Sequence, residues 1–186
     1  MDIRSFIVHT LGQDSNDIDN VVPFFELQAE RKGNYLLDSG DTCDYIYFLL
    51  EGCVIHRVEN GTEHPLIREI ITPDMWFSDL KSFQQQTASN QCLECLSDVQ
   101  YYQLHRNAFM SLELNFPNFN KVSRLVVTKV NEELEARVIR LKQLSAVQRW
   151  QWFQSQQRFQ GLDIPKKIIS EFLDMRPETL SRLMDS

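Results

Sequence analysis

The chain has 186 residues, of which 42% are hydrophobic and 24% charged, with a formal net charge of −7 at pH 7. This is an ordinary globular composition, able to bury a core, and its four cysteines fit a reducing compartment without a disulfide framework. No segment approaches the roughly 18 consecutive apolar residues of a membrane span, and residues 1–10 have no long apolar run. We therefore expect a cytoplasmic protein with no membrane partner.

The charge is unevenly distributed along the chain. Residues 1–136 carry 10 Lys and Arg against 21 Asp and Glu, whereas residues 137–186 carry 9 against 5. An acidic body followed by a basic segment predicts a separate module that binds a polyanion. The alternative is that the basic segment is an ordinary solvated surface.

Residues 22–112 contain short apolar runs separated by turn residues, which is typical of strands. Gly52 ends the first run, and Asn60-Gly61 lies between the second and third. An Asn-Gly pair predicts a hairpin because both central residues of a tight turn adopt positive φ. Short strands at this spacing predict a barrel or jelly roll. The predicted strands span residues 45–50, 53–58, 64–71, 92–96 and 99–104.

The pattern becomes helical after Pro117. Residues 122–144 contain no Pro or Gly, and their apolar residues recur every three or four positions. A helix of about six turns with one narrow seam is longer than a small core requires, so we interpret it as a coiled-coil-like dimer helix. The alternative is a helix packed along its own barrel. The seam consists of Val127, Val130, Leu134, Val138, Leu141 and Leu144.

The most informative segment follows. Ser145 is placed to cap an amphipathic helix around Arg149–Phe153, and two short amphipathic helices then flank the turn Asp174-Met175-Arg176. Pro165 and Pro177 are expected at the first position of these two helices. This arrangement predicts a helix-turn-helix, whose second helix reads the DNA major groove. A pair of packing helices is the alternative.

The order of β-roll, long helix and helix-turn-helix resembles the Crp/Fnr family of bacterial transcription regulators. The resemblance rests on residues 33–37, Gly40-Asp41, residues 45–48, residues 52–54 and the phrase 177–182, Pro-Glu-Thr-Leu-Ser-Arg. It implies an α+β protein with an N-terminal β-roll of the cyclic-nucleotide-binding type, flanking helices, a long dimerisation helix and a C-terminal reader. The implied divisions are residues 1–116, 117–144 and 145–186.

The resemblance also implies an effector pocket. Nucleotide-binding relatives have a Phe-Gly-Glu-Leu cassette and, ten residues after its Glu, an Arg and a small hydroxyl residue. The equivalents here are Phe77, Ser78, Asp79 and Leu80, followed by Ser89 and Asn90. The cassette arginine is absent, and a buried phosphate without a cation costs several kcal/mol. We therefore expect tight cAMP binding to be lost, and a different effector, or none, to replace it.

By the same resemblance, the reader contacts bases through Glu178, Ser181 and Arg182, with Thr179 near the backbone. Arg182 can bind guanine in a bidentate way and Glu178 can accept from cytosine. The cations Arg176, Lys166 and Lys167 would contact phosphates. The implied partners are double-stranded DNA, a second copy of the chain, a small-molecule effector and RNA polymerase.

Two departures from the family pattern concern the turn. Asp174 stands where glycine is usual, and Arg176 stands where a capping Thr or Ser is usual. Metal binding is not expected, since Cys92 and Cys95 lie three apart in a predicted strand and face opposite sides. No catalytic arrangement is legible, so an enzyme is not expected. The second hypothesis is a ligand-binding or protein-interaction module that has lost DNA binding.

Overall fold

The computed structural model describes residues 3–11, 17–59, 61 and 66–185, and shows a β-roll followed by a mostly helical C-terminal region. The strands of these residues are β1 Glu26–Glu30, β2 Tyr35–Leu37, β3 Tyr45–Glu51, β4 Val54–Val58, β5 Leu66–Ile71, β6 Trp76–Phe77, β7 Gln91–Cys95 and β8 Val99–His105. The helices are α1 Ile3–Leu11, α2 Ile18–Val21, α3 Leu80–Gln85, α4 Arg106–Asn115, α5 Phe119–Gln143, α6 Ala146–Ser155, α7 Lys166–Phe172 and α8 Pro177–Met184. Short 3-10 turns span Val22–Phe24 and Gln157–Phe159.

The strands pair in two antiparallel sheets, named here sheet I and sheet II. Sheet I has the order β1-β8-β3-β6, and sheet II has the order β2-β7-β4-β5. β4 and β5 form the predicted hairpin, with Val54 opposite Ile71 and Val58 opposite Leu66. The predicted α+β class with its β-roll and long helix is confirmed. Asn60 of the predicted turn and His64 lie outside the described residues.

A first hydrophobic core fills the roll. Phe48 is fully buried, and its ring centroid lies 5.0 Å from that of Trp76. The same core includes Phe119, Val122 and Val126 from the first turns of α5. Each large apolar side chain buried in this way contributes about 1.5–3 kcal/mol. The beginning of α5 is therefore anchored to the roll of its own chain.

The predicted seam of α5 is partly buried within the chain and partly exposed. Val127 and Val138 are 38% and 51% exposed, although they are apolar. The remaining seam residues, Val130, Leu134, Leu141 and Leu144, are half-buried. α5 thus packs on its own roll through its first turns and leaves two apolar seam residues exposed. Dimerisation through the seam stays a prediction.

Sheet II is covered on both faces. Val54 belongs to the core of the roll, whereas its neighbour Ile55 belongs to a second core formed with the C-terminal helices. Ile71 and Ile70 divide in the same way, as neighbours on a strand must. The second core contains Cys53, Ile55, Ile67 and Ile70 of the sheet, and Trp150, Phe153, Phe159, Ile164, Ile168, Ile169, Phe172, Leu173 and Leu180 of the C-terminal segment.

The C-terminal helices therefore share their core with the outer face of sheet II, and α7 packs on β5. The division into residues 1–116, 117–144 and 145–186 stays a prediction. Among the described residues, no helix has both the length and the apolar character that crossing a bilayer requires.

Candidate functional site

α7 and α8 form the predicted helix-turn-helix. Asp174 has φ of +50°, so it adopts the left-handed conformation expected at this turn. The backbone N–H of Met175 donates to the carbonyl of Ser170 at 3.0 Å and closes the turn. Arg176 is the N-cap of α8 and makes no side-chain capping bond, as expected, and Pro177 begins the helix. Pro165 is the N-cap of α7, one residue before the predicted position.

One side of α8 packs and the other faces solvent. Leu180 is fully buried in the second core, while Arg176, Glu178 and Arg182 are exposed. Thr179 and Ser181 are half-buried. Met184 is 40% exposed although it is apolar. The α8 residues predicted to contact DNA are thus exposed or half-buried.

The two lysines predicted to bind phosphate lie at the beginning of α7. Lys166 and Lys167 are both exposed, and the ammonium of Lys167 is 3.9 Å from the carboxylate of Glu171 one turn later. An exposed pair of this kind contributes little to stability and does not hold the side chain in place. Both cations are therefore free to approach a polyanion.

Arg149 fixes the turn of the helix-turn-helix to the end of α5. Its Nη2 donates to the carbonyl of Asp174 at 2.9 Å, and its Nη1 donates to the carbonyl of Leu141 at 3.2 Å. α6 carries this arginine, and the helix begins with a capping box between Ser145 and Gln148. The sequence predicted the Ser145 cap, but the contact between Arg149 and the turn joins residues 25 apart and left no local signal.

Arg137 joins α5, the sheet and α7. It is buried, and its Nη2 donates to the carbonyl of Ile67 on β5 at 2.7 Å. Its guanidinium carbon lies 4.5 Å from the centre of the Phe172 ring. Burial lowers the pKa of Arg137, and the nearby Glu69 opposes this effect. The arginine holds the C-terminal helices on sheet II at a point where all three elements meet.

The polar side chains of the predicted cassette form hydrogen bonds within the protein. Asp79 is buried, and its Oδ1 accepts the backbone N–H groups of Lys81 and Ser82, which makes it the N-cap of α3. Its Oδ2 accepts the hydroxyl of Ser89 at 2.7 Å. The two positions that the resemblance assigned to an effector pocket are thus hydrogen-bonded to each other. Both carboxylate oxygens, however, serve the fold.

The other cassette residues separate. The hydroxyl of Ser78 donates to the carbonyl of Tyr45 at 2.9 Å, and both Phe77 and Ser78 line a large cavity described below. Leu80 faces a small crevice next to α5 instead. Asn90 is exposed and reaches the carbonyl of Glu59 at 3.4 Å. The predicted set thus contributes two of its six residues to the cavity wall.

The cavity has a volume of about 610 Å³ and lies between sheet II, β6, α5 and the C-terminal helices. Val130 and Leu134 of the α5 seam form part of its wall, together with Trp152 of α6. A space of this volume is within the range of small-molecule sites. Its ionisable wall residues are His56, Arg68, Glu69, Asp74, Lys129, Glu132, Glu133, Arg140 and Arg158.

Arg68 enters the cavity because of a β-bulge. The pairing of β4 with β5 shifts between His56 and Arg57, so His56 pairs with Glu69, Arg57 pairs with Ile67, and Arg68 is the extra residue. Consecutive strand residues ordinarily face opposite sides, but here both Arg68 and Glu69 line the cavity. No local sequence pattern marks the bulge, so this arginine was not predicted.

A polar network surrounds Arg68 on the inner face of sheet II. The Nη1 of Arg68 donates to Oε1 of Gln91 at 3.0 Å, and Nε2 of His56 lies 2.5 Å from the same oxygen. Burial lowers the pKa of His56 to about 4, and the charge of Arg68 acts in the same direction. His56 is therefore neutral at pH 7. Burial also lowers the pKa of Arg68, while Asp79 and Glu69 oppose the shift.

Arg140 and Arg158 line the side of the cavity next to the C-terminal helices. Arg158 lies 3.4 Å from the carboxylate of Glu69, whose pKa is raised by burial. The guanidinium of Arg140 stacks on Trp152 at 4.0 Å. Its Nη2 is buried and has no hydrogen-bond partner among the described residues. Burial lowers the pKa of Arg140, an effect that Glu69 and Glu133 oppose.

The four cysteines are buried and unpaired with one another. Burial raises the pKa of Cys53 and of Cys95 to about 12, so neither thiol is activated. Within the part of the chain that the structure describes, no three His, Cys, Asp or Glu side chains are grouped as a metal ion would require.

Solved structures provide the comparison for this arrangement. FixK2 from Bradyrhizobium japonicum superposes with a TM-score of 0.70 at 14% identity, over 87% of this chain and 83% of that one. The c-di-GMP responsive global regulator CLP from Xanthomonas campestris gives 0.70 at 12%, over 92% and 90%. A Eubacterium rectale protein assigned to the Crp/Fnr family of transcriptional regulators gives 0.71 at 10%, over 94% and 84%.

No model of a known protein family matches the chain, and no curated protein matches it significantly. The structural likeness nevertheless extends over most of this chain and most of each of the three proteins. The chain therefore has the fold of the Crp/Fnr regulators, with a roll of the cyclic-nucleotide-binding type joined by a long helix to a helix-turn-helix.

Proposed function

We propose that the chain is a DNA-binding transcription regulator that acts as a homodimer in the cytoplasm. The main support for this proposal is the accessible side of α8. Arg176, Glu178 and Arg182 are exposed there. Leu180 is buried and anchors the helix. A helix that packs through one side and exposes charged residues on the other can enter a major groove without losing its packing. The structural neighbours, which are transcription regulators, support the same role.

The cations on the reader supply affinity as well as register. Lys166, Lys167 and Arg176 are exposed at the beginnings of α7 and α8, where they can neutralise DNA phosphates. In the proposed complex, Glu178, Ser181 and Arg182 contact bases, and Thr179 lies beside the DNA backbone. Arg149 and Arg137 hold this surface in a fixed orientation on the roll.

Two exposed apolar residues of α5 support dimerisation. Val127 and Val138 are exposed apolar residues eleven positions apart, in a stripe with three- and four-residue spacing. Two such stripes would bury each other and place two copies of α8 about one DNA turn apart. Val138→Glu should therefore shift the protein to a monomer in analytical ultracentrifugation. Lys142→Glu, at an exposed polar position of the same helix, should leave the dimer intact.

The function is tested by titrating random duplex DNA fragments at two salt concentrations. We expect binding that weakens steeply with salt, and a smaller slope for the Lys166→Gln, Lys167→Gln double variant. Lys32→Gln, an exposed lysine on a turn of the roll, is the matched control and should leave both affinity and slope unchanged. Absence of salt-dependent binding would refute the proposal.

The alternative function is a ligand-binding or protein-interaction module that no longer binds DNA. The missing side-chain cap of α8 favours it, because a lost N-cap costs a helix roughly 1 kcal/mol. The large cavity is compatible with both functions, since a regulator also needs an effector site. A protein that binds a small ligand but no DNA at any salt concentration would support this alternative. RNA polymerase is a proposed partner only under the first function.

A further inference from the structure

The cavity wall contains two half-buried cations that the cassette prediction did not include. Arg68 and Arg140 both line it, and neither has a carboxylate within 4.0 Å among the described residues. Their partners are neutral: the side-chain oxygen of Gln91 for Arg68 and the Trp152 ring for Arg140. Removing a guanidinium from water without a counter-charge is costly, so an anion placed here would offset that cost.

The nearest buried carboxylates are already engaged. Asp79 accepts three hydrogen bonds, from Ser89 and from the first turn of α3. Glu69 accepts the backbone N–H of Ile70 and pairs with Arg158. The remaining acidic wall residues, Asp74, Glu132 and Glu133, are exposed, so water screens them. Arg68 and Arg140 thus keep their positive charges without a paired carboxylate.

The rest of the wall is apolar. Ile71, Trp76, Val130, Leu134 and Trp152 line the space between the cations. These side chains come from the roll, from α5 and from α6, so a molecule in the cavity would touch all three. Sites that combine an apolar wall with a few oriented charged groups bind molecules with one charged end and one apolar body.

We propose that this cavity binds a small organic oxyanion with an apolar body, held through Arg68 of the bulged strand and by the charge of Arg140. This inference deepens the regulator function proposed above and rests on it, since the bound anion would be the effector. A carboxylate and a phosphate ester offer the same chemistry to a guanidinium. The cassette positions Asp79 and Ser89 take no direct part, because they are consumed by the fold.

The test uses isothermal titration calorimetry on the full chain with phenylacetate, phenyl phosphate, cAMP and neutral 2-phenylethanol as probes. We expect at least one anion to bind and the neutral alcohol not to bind. Binding of phenylacetate alone assigns a carboxylate effector, and binding of a phosphate probe assigns a phosphate ester. Binding of the alcohol as tightly as the anions, or of no probe at millimolar concentration, would overturn the inference.

Variants separate binding from folding. Arg68→Gln should weaken the anion by at least about tenfold, since a hydrogen bond to a charged group is worth that much. Arg68→Lys should keep part of the affinity, and Arg31→Gln, at an exposed position on the roll, should keep all of it. The unliganded melting temperature of Arg68→Gln should not fall, because a desolvated cation is removed. Unchanged anion affinity in this variant would refute the site.

The outcome is distinguishable from failure of the proposed function. Loss of anion binding with salt-dependent DNA binding retained would reject the cavity site and leave the reader unaffected. Anion binding that depends on Arg68, in a protein that binds no DNA, would support the site and reject the regulator.

Discussion

The functional residues of the cassette and of α8 were both predicted from family resemblance, and the structure places them in different surroundings. In the cassette, the carboxylate oxygens of Asp79 are both hydrogen-bonded within the protein, and Ser89 serves as one of the partners. On α8, the side chains of Arg176, Glu178 and Arg182 are exposed and make no hydrogen bond or ion pair within the described residues. A retained sequence pattern can therefore reflect folding at one site and remain available for a ligand at another.

The largest expected effect is on the free energy of unfolding, for a variant of the cassette residue Asp79. Asp79→Ala removes a buried N-cap and the partner of Ser89, and should lower the free energy of unfolding by about 3–4 kcal/mol. Asp38→Ala removes an exposed carboxylate that accepts the neighbouring N–H of Ser39, and should cost less than about 0.5 kcal/mol. Urea denaturation measures both. Equal, small effects would contradict a structural role for Asp79.

The inner face of sheet II gives a pH-dependent test. The pKa of His56 falls from 6.5 to about 4 on folding, because burial disfavours its charged form. The folded chain therefore binds this proton more weakly than the unfolded chain, so stability is present above pH 6.5 and is lost as pH falls toward 4. The loss should reach about 3 kcal/mol at pH 4.

Other groups also titrate in this range, so the measurement is the difference between the wild type and His56→Gln. Urea denaturation between pH 7 and pH 4 should give a shallower pH dependence for the variant. Parallel curves for the two proteins would contradict a neutral, buried His56.

A smaller effect concerns how firmly the reader is held. Arg137→Ala removes the bond to the Ile67 carbonyl and the contact with Phe172, and should weaken docking by about 1–2 kcal/mol. Cys53 is 2% exposed beneath the C-terminal helices, so its reaction with a thiol reagent reports their release. Labelling should accelerate about 5–30-fold in a background with Cys43, Cys92 and Cys95 replaced by Ala.

The matched control is Arg124→Ala, at an exposed position earlier on α5. It should leave the labelling rate of Cys53 unchanged. Equal labelling rates for all three proteins would show that Arg137 does not hold the reader on sheet II.

The fold was largely predictable, because alternation, turn residues and helical spacing act locally. β3, β4, β7, β8 and α5 agree with the predicted ranges to within a few residues. β1 was missed because its sequence, Glu-Leu-Gln-Ala-Glu, is mostly exposed and carries no apolar pattern. β6 is only two residues long and depends on its pairing with β3.

The apolar runs of sheet II indicate that its outer face is covered, here by the C-terminal helices. Cys53-Val54-Ile55 and Ile70-Ile71 are apolar without alternation, which is typical of strands covered on both faces. The cavity cations are harder to predict. Arg68 depends on a bulge, and Arg140 and Arg158 come from distant segments that meet only in the folded chain. Local patterns therefore predicted the elements, while the charges between them required the structure.

Substitution of Arg182 is the sharpest test of whether α8 recognises DNA sequence. A preferred duplex is first selected from random DNA, and the wild type and Arg182→Ala are then titrated against it and against every single-base variant of it. We expect a loss of about 1–3 kcal/mol for Arg182→Ala and relaxed preference at one base position in each half-site. An unchanged binding profile would contradict the claim.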